Sequence, residues 1–145
     1  MINTIENFCI TIGRVLLGLY FILPGISKVT GYQATSYYMA EHGMVFIPFF
    51  LILTIIIQIG GGTALVVGYR ARLVAFILAG LTLMISLVMH DFWTMTAGEL
   101  QTAHEAQNFI KNMAIMAGLL AIAGLGGGTW SIDQKAGNRS VSATN

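Results

Sequence analysis

The sequence predicts an all-α integral membrane protein, a four-helix bundle with both termini on the cytoplasmic side (N-in/C-in). Three observations carry this: 56% of the residues are hydrophobic and only 9% charged, four apolar runs are long enough to cross a bilayer, and most Lys and Arg residues gather on one side of those runs. Soluble domains carry roughly 25% charged residues. A chain with a mean hydropathy of +0.77 has too few polar side chains to cover a water-facing surface.

The runs span about 8–27, 44–67, 73–89 and 109–127. Each lies near the roughly 17–25 residues that cross about 30 Å of hydrocarbon as a helix. Neither Phe49–Ile57 nor Leu73–Leu81 shows a polar face at the helical period, which argues against a soluble bundle. Their continuity excludes the alternating strands of a membrane barrel.

The first run follows Met1–Asn7, which has no Lys or Arg and so no signal-peptide n-region; a retained span is expected. Pro24 cannot donate to the carbonyl of Tyr20, so this helix should kink or end near Gly25. Ala34–His42, closed by Gly43, reads either as a short helix along the membrane surface or as a loop. Small residues mark the second run at Gly60, Gly61, Gly62 and Ala64, and the fourth at Ala114, Gly118, Ala121 and Gly128. Such faces let helices approach closely in lipid, within one chain or between copies in a homo-oligomer. Residues 1–133 form a single four-span domain, and 134–145 a polar tail expected to be disordered in the cytoplasm.

Orientation follows from Arg70 and Arg72 in the turn after the second run and Lys135 and Arg139 after the fourth, while His90–Asn108 has no Lys or Arg. Tyr32, Tyr37, Tyr38, Phe92 and Trp93 then fall at the outer interface and Trp130 at the inner one, where amphipathic rings prefer to sit. A net charge of +1 provides no field for nucleic acid, and the lone Cys9 excludes an intramolecular disulfide or a Cys-x-x-Cys motif.

The polar residues inside or beside the spans are the candidates for chemistry. Arg14 lies about two turns into the first span, where a charge needs a partner; it reads as a clasp to Asp133 on the same side or as an anion site. At the outer side His90 and Asp91 end the third run, Gln107, Asn108, Lys111 and Asn112 open the fourth, and Lys28 closes the first. This cluster reads as a quinone-headgroup or proton-handling site, or as ordinary interfacial capping with Lys111 snorkelling outward. Gln58, uncharged and deep in the second run, is expected to face another helix. His42, His90 and His104 have carboxylates beside them but no tight ligand motif, so no metal is assigned.

The pattern resembles the DoxX family of small bacterial inner-membrane proteins, and its YphA-like members in particular. The resemblance runs from Ile12 to Asp133. It rests on Gly13-Arg14 and Gly18, on Gly25-Ile26-Ser27-Lys28 and Gly31, on Gly60-Gly61-Gly62 with Gly68 and Arg72, and on His90 and Phe92. Lys111-Asn112, Gly118, Gly126-x-Gly128 and Ser131-Ile132-Asp133 complete it. The sequence departs from the family pattern at Gln58, where many relatives have glutamate, and at Gly127, where proline is common. The first departure removes a carboxylate from that position.

The resemblance implies a four-helix membrane fold and, for some members, association with oxidoreductase systems, including the membrane part of a thiosulfate:quinone oxidoreductase. The expectation is therefore a protein of the bacterial inner membrane, in contact with the lipid bilayer and more a non-catalytic subunit or scaffold than an enzyme by itself. A membrane or redox protein partner and a non-covalently bound quinone belong to that expectation. Its alternatives are a quinone-interacting oxidoreductase component using His90, Asp91 and Lys111, and a carrier of a small anion or lipid using Arg14.

Overall fold

A computed structural model describes residues 4–136, all helices, turns and loops, with no strand among them. Helix α1 spans Thr4–Thr30, α2 Tyr32–Glu41, α3 Ile47–Ile56, α4 Gly62–Val67, α5 Ala71–Met89 and α6 Leu100–Leu125. A π-turn at Ile57–Gly61 joins α3 to α4, so the two make one continuous membrane span. Among the described residues four helices are long and apolar enough to cross a bilayer: Thr4–Thr30, Ile47–Val67, Ala71–Thr94 and Leu100–Leu125. Large apolar side chains such as Leu16, Leu23, Phe49, Phe76, Met84 and Ile110 lie exposed on their outer faces. In lipid this is the favourable arrangement, because apolar surface costs nothing there and only backbone polar groups must be satisfied internally.

Two helix pairs build the bundle. In one, α1 lies against α4 and the π-turn; in the other, α5 lies along α6. Phe21, Leu65, Leu78, Leu119 and Ile122 fill the space between the pairs. A second cluster, Met39, Leu51 and Met89, seats the short helix α2 on the start of α3 and the end of α5.

Backbone contact at glycine sets how closely α1 and α4 approach. A Cβ on Gly18 would stand 2.7 Å from the carbonyl oxygen of Gly62, and one on Gly62 would stand 2.7 Å from that of Gly18. One heptad further on, Gly25 meets Gln58 and Ile59 of the π-turn. The small-residue face of the second span thus makes contacts within the chain. On α6 only a light contact forms, Gly118 against Leu17, while Gly124 faces open space.

Two sequence expectations are amended and one open alternative is decided. Pro24 does not end α1, which continues to Thr30, and Lys28 Nζ lies 3.5 Å from the carbonyl of Pro24. Of the two readings of Ala34–His42 the short helix holds, as α2, with His42 its C-cap. Helix α6 begins at Leu100, well ahead of the apolar run at Phe109, so its first turns are polar and carry Gln101, Glu105 and Asn108 into the bundle end. The polar tail falls at residues 137–145, Arg139 among them, outside the described residues, whereas 132–136 form a helical turn.

Candidate functional site

The two poles found in the sequence are built differently. At the pole expected to face the cytoplasm, α4 ends at Val67 with Gly68 in the left-handed region (φ 73°), the usual helix stop. The last carbonyls of such a helix lack intrahelical donors. Arg14, only 2% exposed, supplies them: Nη1 donates to Leu65 O (2.9 Å) and Val66 O (2.7 Å), and Nη2 to Trp130 O (3.3 Å). A cation at the negative end of a helix is also favoured by the backbone dipoles.

Asp133 does the converse. Its carboxylate accepts from the backbone N–H groups of Arg70 (2.7 Å) and Ala71 (2.8 Å) at the start of α5. Among the described residues no ion pair joins Arg14 to Asp133, so the predicted clasp is corrected: each caps a different helix end across the same turn. The arginine fork fits neighbouring carbonyls better than one carboxylate at a distance. The capping geometry commits both terminal nitrogens of Arg14 and holds the side chain in place, while its buried Nε has no partner among the described residues.

At the other pole, Lys28, Gln58, His90, Asn108 and Lys111 line one small polar cavity of about 170 Å³, together with Tyr20, Thr82 and Asn112. All four spans contribute: α1, the π-turn of the second, the end of α5 and the start of α6. Asp91 does not join them. It lies 3.9 Å from His42 Nε2 and accepts a bond from the hydroxyl of Thr94 (2.9 Å), because its backbone has already left α5. Lys111 Nζ donates to Asn108 Oδ1 (2.9 Å), and Tyr20 donates to Asn112 Oδ1 (3.2 Å).

Gln58 is 4% exposed and its Oε1 has no hydrogen-bond partner. The π-turn places it there: single π-turns inside helices locally widen the backbone and recur at functional sites. Buried amide oxygens without a donor are uncommon and costly. A second cavity of about 780 Å³ adjoins the first and shares Pro24, Lys28, Ile85 and His90 with it. Its walls are mainly apolar, including Met39, Leu51, Leu81 and Val88, and its rim residues Phe50, Leu53 and Met84 are exposed toward the lipid.

The residue that sequence reading undervalued is Glu105. It is 4% exposed, and its carboxylate accepts from Tyr38 (3.4 Å) and from Gln101 Nε2 (2.8 Å) and lies 2.7 Å from His90 Nδ1. Its signal was positional: Glu105, Asn108 and Asn112 recur at helical spacing on one face, which extends α6 outward past the apolar run. Tyr38 also donates toward Met89 O (3.3 Å), so α2, α5 and α6 are tied at this point.

Burial, reinforced by the charge of Glu105 and its hydrogen bond, pushes the Tyr38 hydroxyl up to about 12 from its ordinary 10.0. It therefore remains a donor throughout the neutral range. With the folded value above the unfolded one, the contribution of Tyr38 to stability is unchanged below pH 10 and declines between 10 and 12, where the unfolded chain releases the proton first. In an absorbance titration of the five tyrosines, Tyr38→Phe should remove one group from the late, alkaline end of the curve; an unchanged late phase would contradict this.

Comparison with known proteins bears on the whole architecture. The DoxX family model matches residues 9–91, more than half of the chain. The chain belongs to the DoxX family. The inner membrane protein YqjF of Escherichia coli (strain K12) is 33% identical over 130 residues, 90% of this chain and 93% of the relative. The inner membrane protein YphA of the same organism is 28% identical over 124 residues, 86% and 87% of the two chains. No solved structure matches. With four apolar spans and relatives named as inner membrane proteins, this DoxX-family chain is a small multi-pass membrane protein of that kind, in contact with the lipid bilayer.

Proposed function

We propose that this DoxX-family protein is a membrane subunit that binds an amphipathic, ring-headed lipid of the quinone class and presents it to a redox partner. The single observation that carries the reading is the junction of the two cavities, where Lys28 and His90 belong to both. Apolar pockets of about 300–1,000 Å³ with a few convergent polar groups are the usual form of small-molecule sites. The larger cavity suits a prenyl or alkyl tail entering from the bilayer past Phe50, Leu53 and Met84. The smaller one suits the ring, whose oxygens meet Lys28, Gln58 and His90.

The residues present fit such a ligand in size and polarity, and the unpartnered buried amide oxygen of Gln58 can accept from the hydroxyl of the reduced ring. A quinone supplies the capacity to accept and release electrons; the chain supplies the apolar slot, the polar ring site and exclusion of water. With the basic turns at Arg70, Arg72 and Lys135 on the cytoplasmic side, the ring site opens in the outer half of the membrane.

The test is equilibrium binding of a short-tailed benzoquinone to the full chain in nanodiscs. Saturable binding is expected, weakened about tenfold by Lys28→Ala, the scale of one lost hydrogen bond in a dry site. Arg72→Gln, at the opposite pole, should leave it unchanged. Absence of saturable binding to the wild-type protein refutes the reading.

A further inference from the structure

We infer that His90 selects the hydroxylated, reduced form of the ring, a hydrogen-bond donor, over the carbonyl form, with Glu105 as the residue that positions it. The inference rests on the proposed ring site and adds the hydrogen-bonding state of its ligand.

The geometry carries it. His90 lines both cavities, and its Nδ1 lies 2.7 Å from Glu105 Oε2. A carboxylate oxygen only accepts, so Nδ1 holds the proton, and in the neutral ring Nε2 is left with its lone pair. Glu105 is itself held by Gln101 and Tyr38, so the imidazole has little freedom to turn. Gln58 can present either end of its amide to a ligand; His90 cannot, and it is the side chain that discriminates.

Among the neighbouring donors, Lys111 bonds Asn108 and Tyr20 bonds Asn112. Lys28 lines both cavities, and with its Nζ 3.5 Å from a carbonyl of its own helix it keeps N–H groups that can face a ring oxygen. A ring hydroxyl donates to Nε2 and accepts from Lys28. A ring carbonyl satisfies only the second, and leaves two lone pairs opposed at the first.

The charged and polar groups around His90 are Lys28 on α1, Tyr38 on α2, Glu105 and Lys111 on α6, and the adjacent Asp91, which faces His42. His42 is the other imidazole of this pole and serves as the control.

The experiment measures the affinity of the full chain in nanodiscs, under anaerobic conditions and at one fixed pH, for a short-tailed benzoquinol and its benzoquinone. The expected ratio favours the quinol about tenfold. His90→Phe should bring the ratio close to one, and His42→Gln should leave it at the wild-type value. Glu105→Gln should lower quinol affinity while quinone still binds, a change that loss of folding would not produce. Equal affinities, or a tighter quinone, overturn the inference and leave the ring site standing; failure of both to bind overturns the two together.

Discussion

Arg14→Leu is expected to cost roughly 3–5 kcal/mol, the scale for removing one partner of a buried charged interaction, and to leave little folded protein in mild detergent. The side chain is 2% exposed and donates to three carbonyls, those of Leu65, Val66 and Trp130. Two of these end α4, and the third belongs to the loop after α6. Replacement by leucine sets an apolar side chain against all three, of which Leu65 O keeps the N–H of Gly68, and leaves the helix dipole without its countercharge. Arg14→Lys retains a cation but not the planar fork, and should recover part of the loss. Denaturant titration in detergent, with the monodisperse fraction as a second readout, measures both. A leucine variant as stable as wild type would show that the capping bonds contribute nothing.

Gly62→Leu is expected to have the second large effect, with Gly62→Ala costing about 1–3 kcal/mol, the scale of overpacking in a close-packed core. A Cβ at Gly62 meets the carbonyl oxygen of Gly18 at 2.7 Å and its neighbour's backbone nitrogen, that of Ile22, at 3.2 Å, so backbone rather than a flexible side chain must move. Gly18→Ala should behave alike, since its Cβ meets Gly62 O at 2.7 Å and Val66 Cγ2 at 2.5 Å. Gly80→Ala is the contrast. A Cβ there meets nothing within 4 Å, and alanine gains up to about 1 kcal/mol of helix propensity over glycine. Unfolding midpoints that drop for Gly18 and Gly62 and hold or rise for Gly80 would support the crossing; equal shifts would refute it.

Much of the site around His90 could be read before any coordinates. Lys28, Gln58, His90, Asn108 and Lys111 are polar residues within or at the ends of apolar runs, and such residues are costly unless they converge. They do converge, in one cavity. Asp91, adjacent to His90 in sequence, does not, because the chain leaves α5 at His90 and turns Asp91 toward His42. Glu105 lies beyond the apolar run and was legible only as a polar residue near His104, although its pairing with His90 orients the whole site.

Hydropathy and charge placement by themselves determined that the chain lives in a bilayer, how many times it crosses and which residues are out of place there. These are properties of each residue's transfer from water to lipid, and transfer energies are local and additive enough to be read along a sequence. The tertiary structure alone decided partners. That Arg14 caps α4 rather than binding Asp133, that Glu105 rather than Asp91 holds His90, and that Gln58 faces a cavity rather than a bonded neighbour all depend on directions set by helix crossing and by the π-turn. Hydrogen bonds are directional and short-ranged, so a sequence names the groups that need a partner, and only the packed helices determine which partner each one reaches.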